Sequence, residues 1–127
     1  MATVIYNLYL VNQTELDLHA YAAGHSAERE QIIDYTVGLH LLPGATSEPV
    51  LTPVWLSESN YFTITLLDGQ QRFWASDFRT RCDIAADQAP GAPLLVLLTG
   101  ELSGLYVEAQ ITLAGKPQGT VLLRRRC

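Results

Sequence analysis

Tyr61-Phe62-Thr63-Ile64-Thr65-Leu66-Leu67-Asp68-Gly69-Gln70-Gln71-Arg72-Phe73-Trp74-Ala75-Ser76 reads as two strands rich in β-branched and aromatic residues, joined at Asp-Gly. Asp-Gly between such runs is the strongest short hairpin signal, because a two-residue type I′ turn needs positive φ at both central positions. With Asp68 and Gly69 as those positions, Leu67 opposes Gln70, Thr65 opposes Arg72, Ile64 opposes Phe73 and Thr63 opposes Trp74. Phe62, Ile64, Leu66 and Phe73 then share a dry face. Tyr61, Thr63, Thr65, Arg72, Trp74 and Ser76 share the wet one. Flat aromatic rings beside a guanidinium can stack on a sugar ring, a lipid headgroup or a partner side chain, so Tyr61, Arg72 and Trp74 are the candidate ligand-binding residues. The competing reading is that a loop or a second subunit covers Trp74.

Outward from the hairpin, turn-bounded apolar segments recur along the whole chain. Val4 to Val11 is a strand, Asn12-Gln13-Thr14 a turn, and Glu15 to Ala22 alternates with Leu16, Leu18, Ala20 and Ala22 on one face. Asn12-Gln13-Thr14 also fits a glycosylation sequon, but without a secretory signal it is read as turn chemistry. Ser26 to Gln31 is expected to form one helical turn, with Ser26 as N-cap. Ile32 to Leu42 favours a strand closed by Pro43-Gly44, and Glu48 to Leu56, with Pro49 and Pro53, should lie on an edge. After a loop over Arg79 to Pro93, strands are expected at Leu94 to Thr99, Leu105 to Leu113 and Thr120 to Arg124. In the second of these, Leu105, Val107, Ala109, Ile111 and Leu113 face inward. Gly100 to Gly104 and Ala114 to Gly119 supply the turns between them. Eight or nine short strands at this spacing indicate one all-β domain over residues 1–127, an antiparallel sandwich or a partly closed barrel.

Two strands break the rule of one dry face. Leu94 to Leu98 is apolar on both sides, and Val4 to Val11 carries Ile5, Tyr9 and Val11 opposite its core residues. Exposing such side chains forgoes roughly 1.5–3 kcal/mol each and invites association. Ile5, Tyr9, Val11, Leu95 and Leu97 are therefore expected at an interface between copies, with cover by the chain's own loops as the competing reading.

Composition sets the classes of function. At 127 residues, 48% hydrophobic and 17% charged, the chain can bury a core without disulfides or metals. A net charge of −5 argues against a nucleic-acid partner, and the one basic run, Arg124-Arg125-Arg126, reads as a solvated tail or an anchor for an acidic partner. Met1 to Val4 lacks a positive n-region and no apolar run reaches bilayer length, so a cytoplasmic protein with no transmembrane segment is expected. Cys82 and Cys127 suit that compartment as free thiols, with no disulfide between them.

No nucleophile elbow, phosphate loop or paired catalytic carboxylate stands out: the serines lie in turns, and Glu15, Asp17, Glu101 and Glu108 sit where solvated acids are ordinary. His19, His25 and His40 lack metal-ligand spacing, and His19 and His40 belong to different strands. No metal, cofactor or catalytic residue is expected.

Val11-Asn12-Gln13-Thr14 with Leu16 and Leu18, then Leu42-Pro43-Gly44 and Asp68-Gly69, resembles in order of turns the aegerolysins, small acidic β-sandwich proteins made without a signal peptide. The resemblance implies binding of membrane lipid or carbohydrate, as a toxin component for example. The family's glycine-rich central signature is not visible here, so no lipid-binding residue is carried over. The first reading is a non-enzymatic protein acting by self-association and an aromatic surface; the second is this aegerolysin-like binder; the third is an enzyme whose site is assembled from distant residues.

Overall fold

Alternation of buried and exposed residues along almost every strand leaves one continuous apolar face, and that face is satisfied by curling a single sheet around it. The computed structural model describes residues 3–26, 32–34, 38–56, 59–70, 72–76, 82–100 and 104–126. They contain β1 (Thr3–Asn12), β2 (Leu18–Ser26), β3 (Ile32–Asp34), β4 (Leu39–Leu41), β5 (Val50–Trp55), β6 (Ser59–Asp68), β7 (Phe73–Ala75), β8 (Ile84–Ala85), β9 (Pro93–Gly100), β10 (Tyr106–Leu113) and β11 (Lys116–Arg125). Nine of these pair in series in the order β3-β2-β6-β7-β11-β10-β9-β1-β5, while β4 shares the edge of β2 and β8 that of β6. Tyr6, Leu8 and Leu10, Ala20, Leu66, Val96 and Leu98, Ala109, Ile111 and Leu123 all belong to one core. The edge strand β5 comes round to approach β2 and β6.

The all-β class and about nine strands agree with the sequence, and the form is an open curled sheet, a half-barrel, rather than two facing sheets. The proline-bearing β5 is an edge, as Pro53 requires. Not every pair is antiparallel, however. β1 and β9 run parallel, with Tyr9 beside Leu95 and Val11 beside Leu97. Thr14 to Leu16 form a bend and β2 begins only at Leu18. The expected strand over Ile32 to Leu42 is divided into β3 and β4. Leu105 precedes β10 and is exposed rather than inward-facing. The expected helical turn falls mostly outside the described residues, its first residue Ser26 closing β2. Among the described residues no helix is long and apolar enough to cross a membrane.

The hairpin register differs from the sequence expectation by three residues. Thr65 pairs with Ala75, Leu66 with Trp74 and Leu67 with Phe73. The Asp68 N–H donates to the Arg72 carbonyl at 3.1 Å, so the hairpin is closed by Asp68 and Arg72 rather than by Leu67 and Gln70, and Gly69 is not at positive φ. The cause is the Asp68 side chain. Its Oδ1 accepts the N–H groups of Gln70 at 2.9 Å and Arg72 at 3.0 Å, while Oδ2 accepts Arg72 Nε and Nη2, each at 2.7 Å. These bonds favour the wider loop over a two-residue turn. The type I′ requirement is met elsewhere: Ala114 and Gly115 both have positive φ, 51° and 80°, between the paired Leu113 and Lys116.

Burial raises the Asp68 carboxyl, but the two amides and the guanidinium outweigh it and hold the group below its ordinary value. A depressed folded pKa stabilises above the ordinary value of about 4 and ceases to do so as pH falls through the folded value. Asp68→Asn, which keeps an acceptor and removes the charge, is therefore expected to lower the urea midpoint clearly at pH 7 and much less at pH 3. An equal loss at both would show that the ion pair contributes nothing.

Candidate functional site

An odd slip of register exchanges the two faces of a strand, and this decides the fate of the aromatic surface. Trp74 opposes Leu66, not Thr63, and with 1% exposure it is a core side chain, its Nε1 donating to the Gly104 carbonyl at 3.1 Å. Phe73 takes the outer face beside Leu67 and is only half-buried. Tyr61 pairs with His25 at the far end of β6 and is itself buried, at 4%. The three residues expected on one wet face are thus not a surface group. Arg72 and Trp74 do remain together, the guanidinium carbon 5.8 Å from the indole centroid.

Together they form one wall of a cavity of about 800 Å³ at the end of the curled sheet. Opposite stand Gln13, Thr14, Glu15 and Leu16 of the β1–β2 connection, and Gly100, Gly104, Tyr106 and Val107 complete the described lining. The connection is held by Asn12, which is fully buried. Asn12 Nδ2 donates to the carbonyls of Leu16 at 2.8 Å and Leu41 at 3.0 Å, and Oδ1 accepts the Thr14 N–H at 3.0 Å and the Thr14 hydroxyl at 2.6 Å. Every hydrogen-bonding position of that amide is occupied. Asn12-Gln13-Thr14 is therefore turn chemistry, as its sequence suggests, and the amide nitrogen is sealed inside. The local signal for this cavity wall was present in Asn12 and Thr14; the contribution of Tyr106 and the two glycines has no local signal.

The expected interface residues fall on one surface. Because β1 and β9 are parallel neighbours, Ile5, Tyr9, Val11, Leu95 and Leu97 all project from the outer face of the sheet, joined by Leu51 and Pro53 across from Asn7 and Ile5. Ile5 is 45% exposed, Leu51 67% and Leu95 36%; Tyr9, Val11 and Leu97 are half-buried.

Histidines placed on different strands by the sequence meet across β2 and β4. His19 opposes His40 with rings 4.5 Å apart and 2° from parallel, and the Asp17 carboxylate lies 2.5 Å from His40 Nε2. His25 sits farther along β2, opposite Ile32. Among the described residues no group of three or more His, Cys, Asp or Glu side chains is placed to hold a metal ion.

Cys82 is a buried free thiol, raised above its ordinary pKa by burial and by the Asp83 carboxylate, which makes it a poor nucleophile. Its expected lack of a bond to Cys127 concerns a residue outside those described. Arg124 to Arg126 are not a loose tail throughout: Arg124 and Arg125 pair with Ala75 and Trp74 in the β11–β7 ladder. Scanning the sequence against known protein families gives no match, and comparison with curated proteins gives none either.

Proposed function

We propose that this protein is non-enzymatic and works by contact, associating with further copies of itself through the outer face of β5, β1 and β9. The observation that carries the reading is the coincidence of its two doubly apolar strands: they are adjacent, in register, and project Ile5, Tyr9, Val11, Leu95 and Leu97 from one side. A patch of this kind, continued by Leu51, costs free energy in water and gains it on association. Polar Asn7 within it, and Gln110 and Thr112 beside Leu97 and Leu95, supply groups that would fix the mutual orientation of two copies.

Light scattering at micromolar concentration is expected to give a multiple of the chain mass. Leu97→Glu places a charge at the centre of the patch and is expected to leave a folded protein with the mass of one chain. A single-chain mass for the unaltered protein, or unfolding of Leu97→Glu, would overturn the assignment.

A further inference from the structure

We propose that the cavity between the β1–β2 connection and the Arg72–Trp74 wall binds an uncharged carbohydrate, one or two sugar rings in size. The site is distinct from the association face: it opens at the end of the curled sheet, and its lining shares no residue with Ile5, Tyr9, Val11, Leu95 and Leu97. Its volume of about 800 Å³ lies within the range of small-molecule sites, roughly 300–1,000 Å³.

The charge balance of the lining selects the ligand class. Arg72 is the one cation among the described lining residues, and its Nε and Nη2 are already bound to Asp68. A phosphate or carboxylate would find no uncommitted cation among the described lining residues, and would face the Glu15 carboxylate. A cationic ligand is disfavoured in turn, because the indole that would attract it already has the Arg72 guanidinium beside its ring. What remains is a neutral ligand rich in hydroxyls. The side chains of Gln13, Glu15 and Tyr106 make no hydrogen bond or ion pair among the described residues, so an amide, a carboxylate and a phenol are available to such hydroxyls. Tyr106, half-buried, offers a ring on which the apolar side of a sugar can lie, and Leu16 adds apolar surface to the lining. The Asn12 network fixes the polar side in advance, so little ordering is required on binding.

Titrating the intact protein with maltose, cellobiose, lactose and di-N-acetylchitobiose, followed by tryptophan fluorescence and by amide shifts of residues 13–16 and 104–107, tests this. At least one sugar is expected to bind saturably, and Glu15→Gln and Tyr106→Ala are each expected to weaken it at least about tenfold. Glu15→Gln, at an exposed position, should do so at an unchanged urea midpoint. Leu97→Glu should bind the sugar as the unaltered protein does, which separates this site from the association face. Absence of saturable binding to all four sugars overturns the proposal, as does binding indifferent to both cavity substitutions. Saturation by choline, by inorganic phosphate or by phosphatidylcholine vesicles in place of the sugars overturns it too.

Discussion

Trp74→Ala is expected to lower the unfolding free energy by about 3–5 kcal/mol, the cost of truncating a fully packed aromatic side chain. Trp74 is among the largest fully buried side chains of the chain, it lies against Leu66 in the ladder, and its indole N–H is bound to the Gly104 carbonyl. The substitution would remove the packing and leave that carbonyl short of a donor. Phe73→Ala, one residue away on the outer face, is expected to cost only about 1–2 kcal/mol, because part of its surface is already in water. The sequence-based register reverses this order. Urea midpoints of the two variants compared at equal m decide between them: Phe73→Ala the more damaging would return β7 to the two-residue turn.

Replacing Asn12 by Ala should be nearly as severe, about 3–4 kcal/mol, which corresponds to a fall in Tm of roughly 10 °C or more. The loss is large because the partners stay behind. The Leu41 carbonyl, the Thr14 N–H and the Thr14 hydroxyl would remain in place around a void, each without the group that satisfied it. Gln13→Ala in the same turn is the control, expected within about 0.5 kcal/mol because its side chain is exposed. Faster amide exchange at Thr14 and Leu16 in Asn12→Ala would locate the damage in the turn, and an unchanged Tm would sink the account.

Much of the fold was legible wherever one face of a strand is wet. The alternation of Val107, Ala109, Ile111 and Leu113, or of Leu18, Ala20 and Ala22, transfers directly to burial in the structure. Alternation says which side is dry and nothing about which strand lies alongside, so a half-barrel and a sandwich look alike in sequence, and the parallel β1–β9 pair had no signature. The hairpin failed for a different reason: a residue pair was read by its backbone preference, while the Asp68 carboxylate supplied four hydrogen bonds that favoured the longer loop. The turn expected over Ala114 to Gly119 is confined to Ala114-Gly115, with β11 starting at Lys116, and its tightness has no sequence signal because Ala seldom accepts positive φ. Of the candidate site, Arg72 and Trp74 were identified, on the wrong face for Trp74; the opposite wall comes from segments brought together only by the curl of the sheet.

The place of β1 in that sheet has a consequence for the order in which the molecule can be made. One edge of β1 is met by β5 and the other by β9, through Asn7 beside Pro93 and Asn12 beside Leu98. A growing chain presents β1 long before β9 has left the ribosome, so β1 has to wait with one flank open and both surfaces apolar. Closure of that pair spans most of the chain and recovers its entropic cost only at the end, which places folding among the slow, non-local β topologies, on the order of milliseconds to seconds. The interval before β9 arrives is when chaperone protection would matter most.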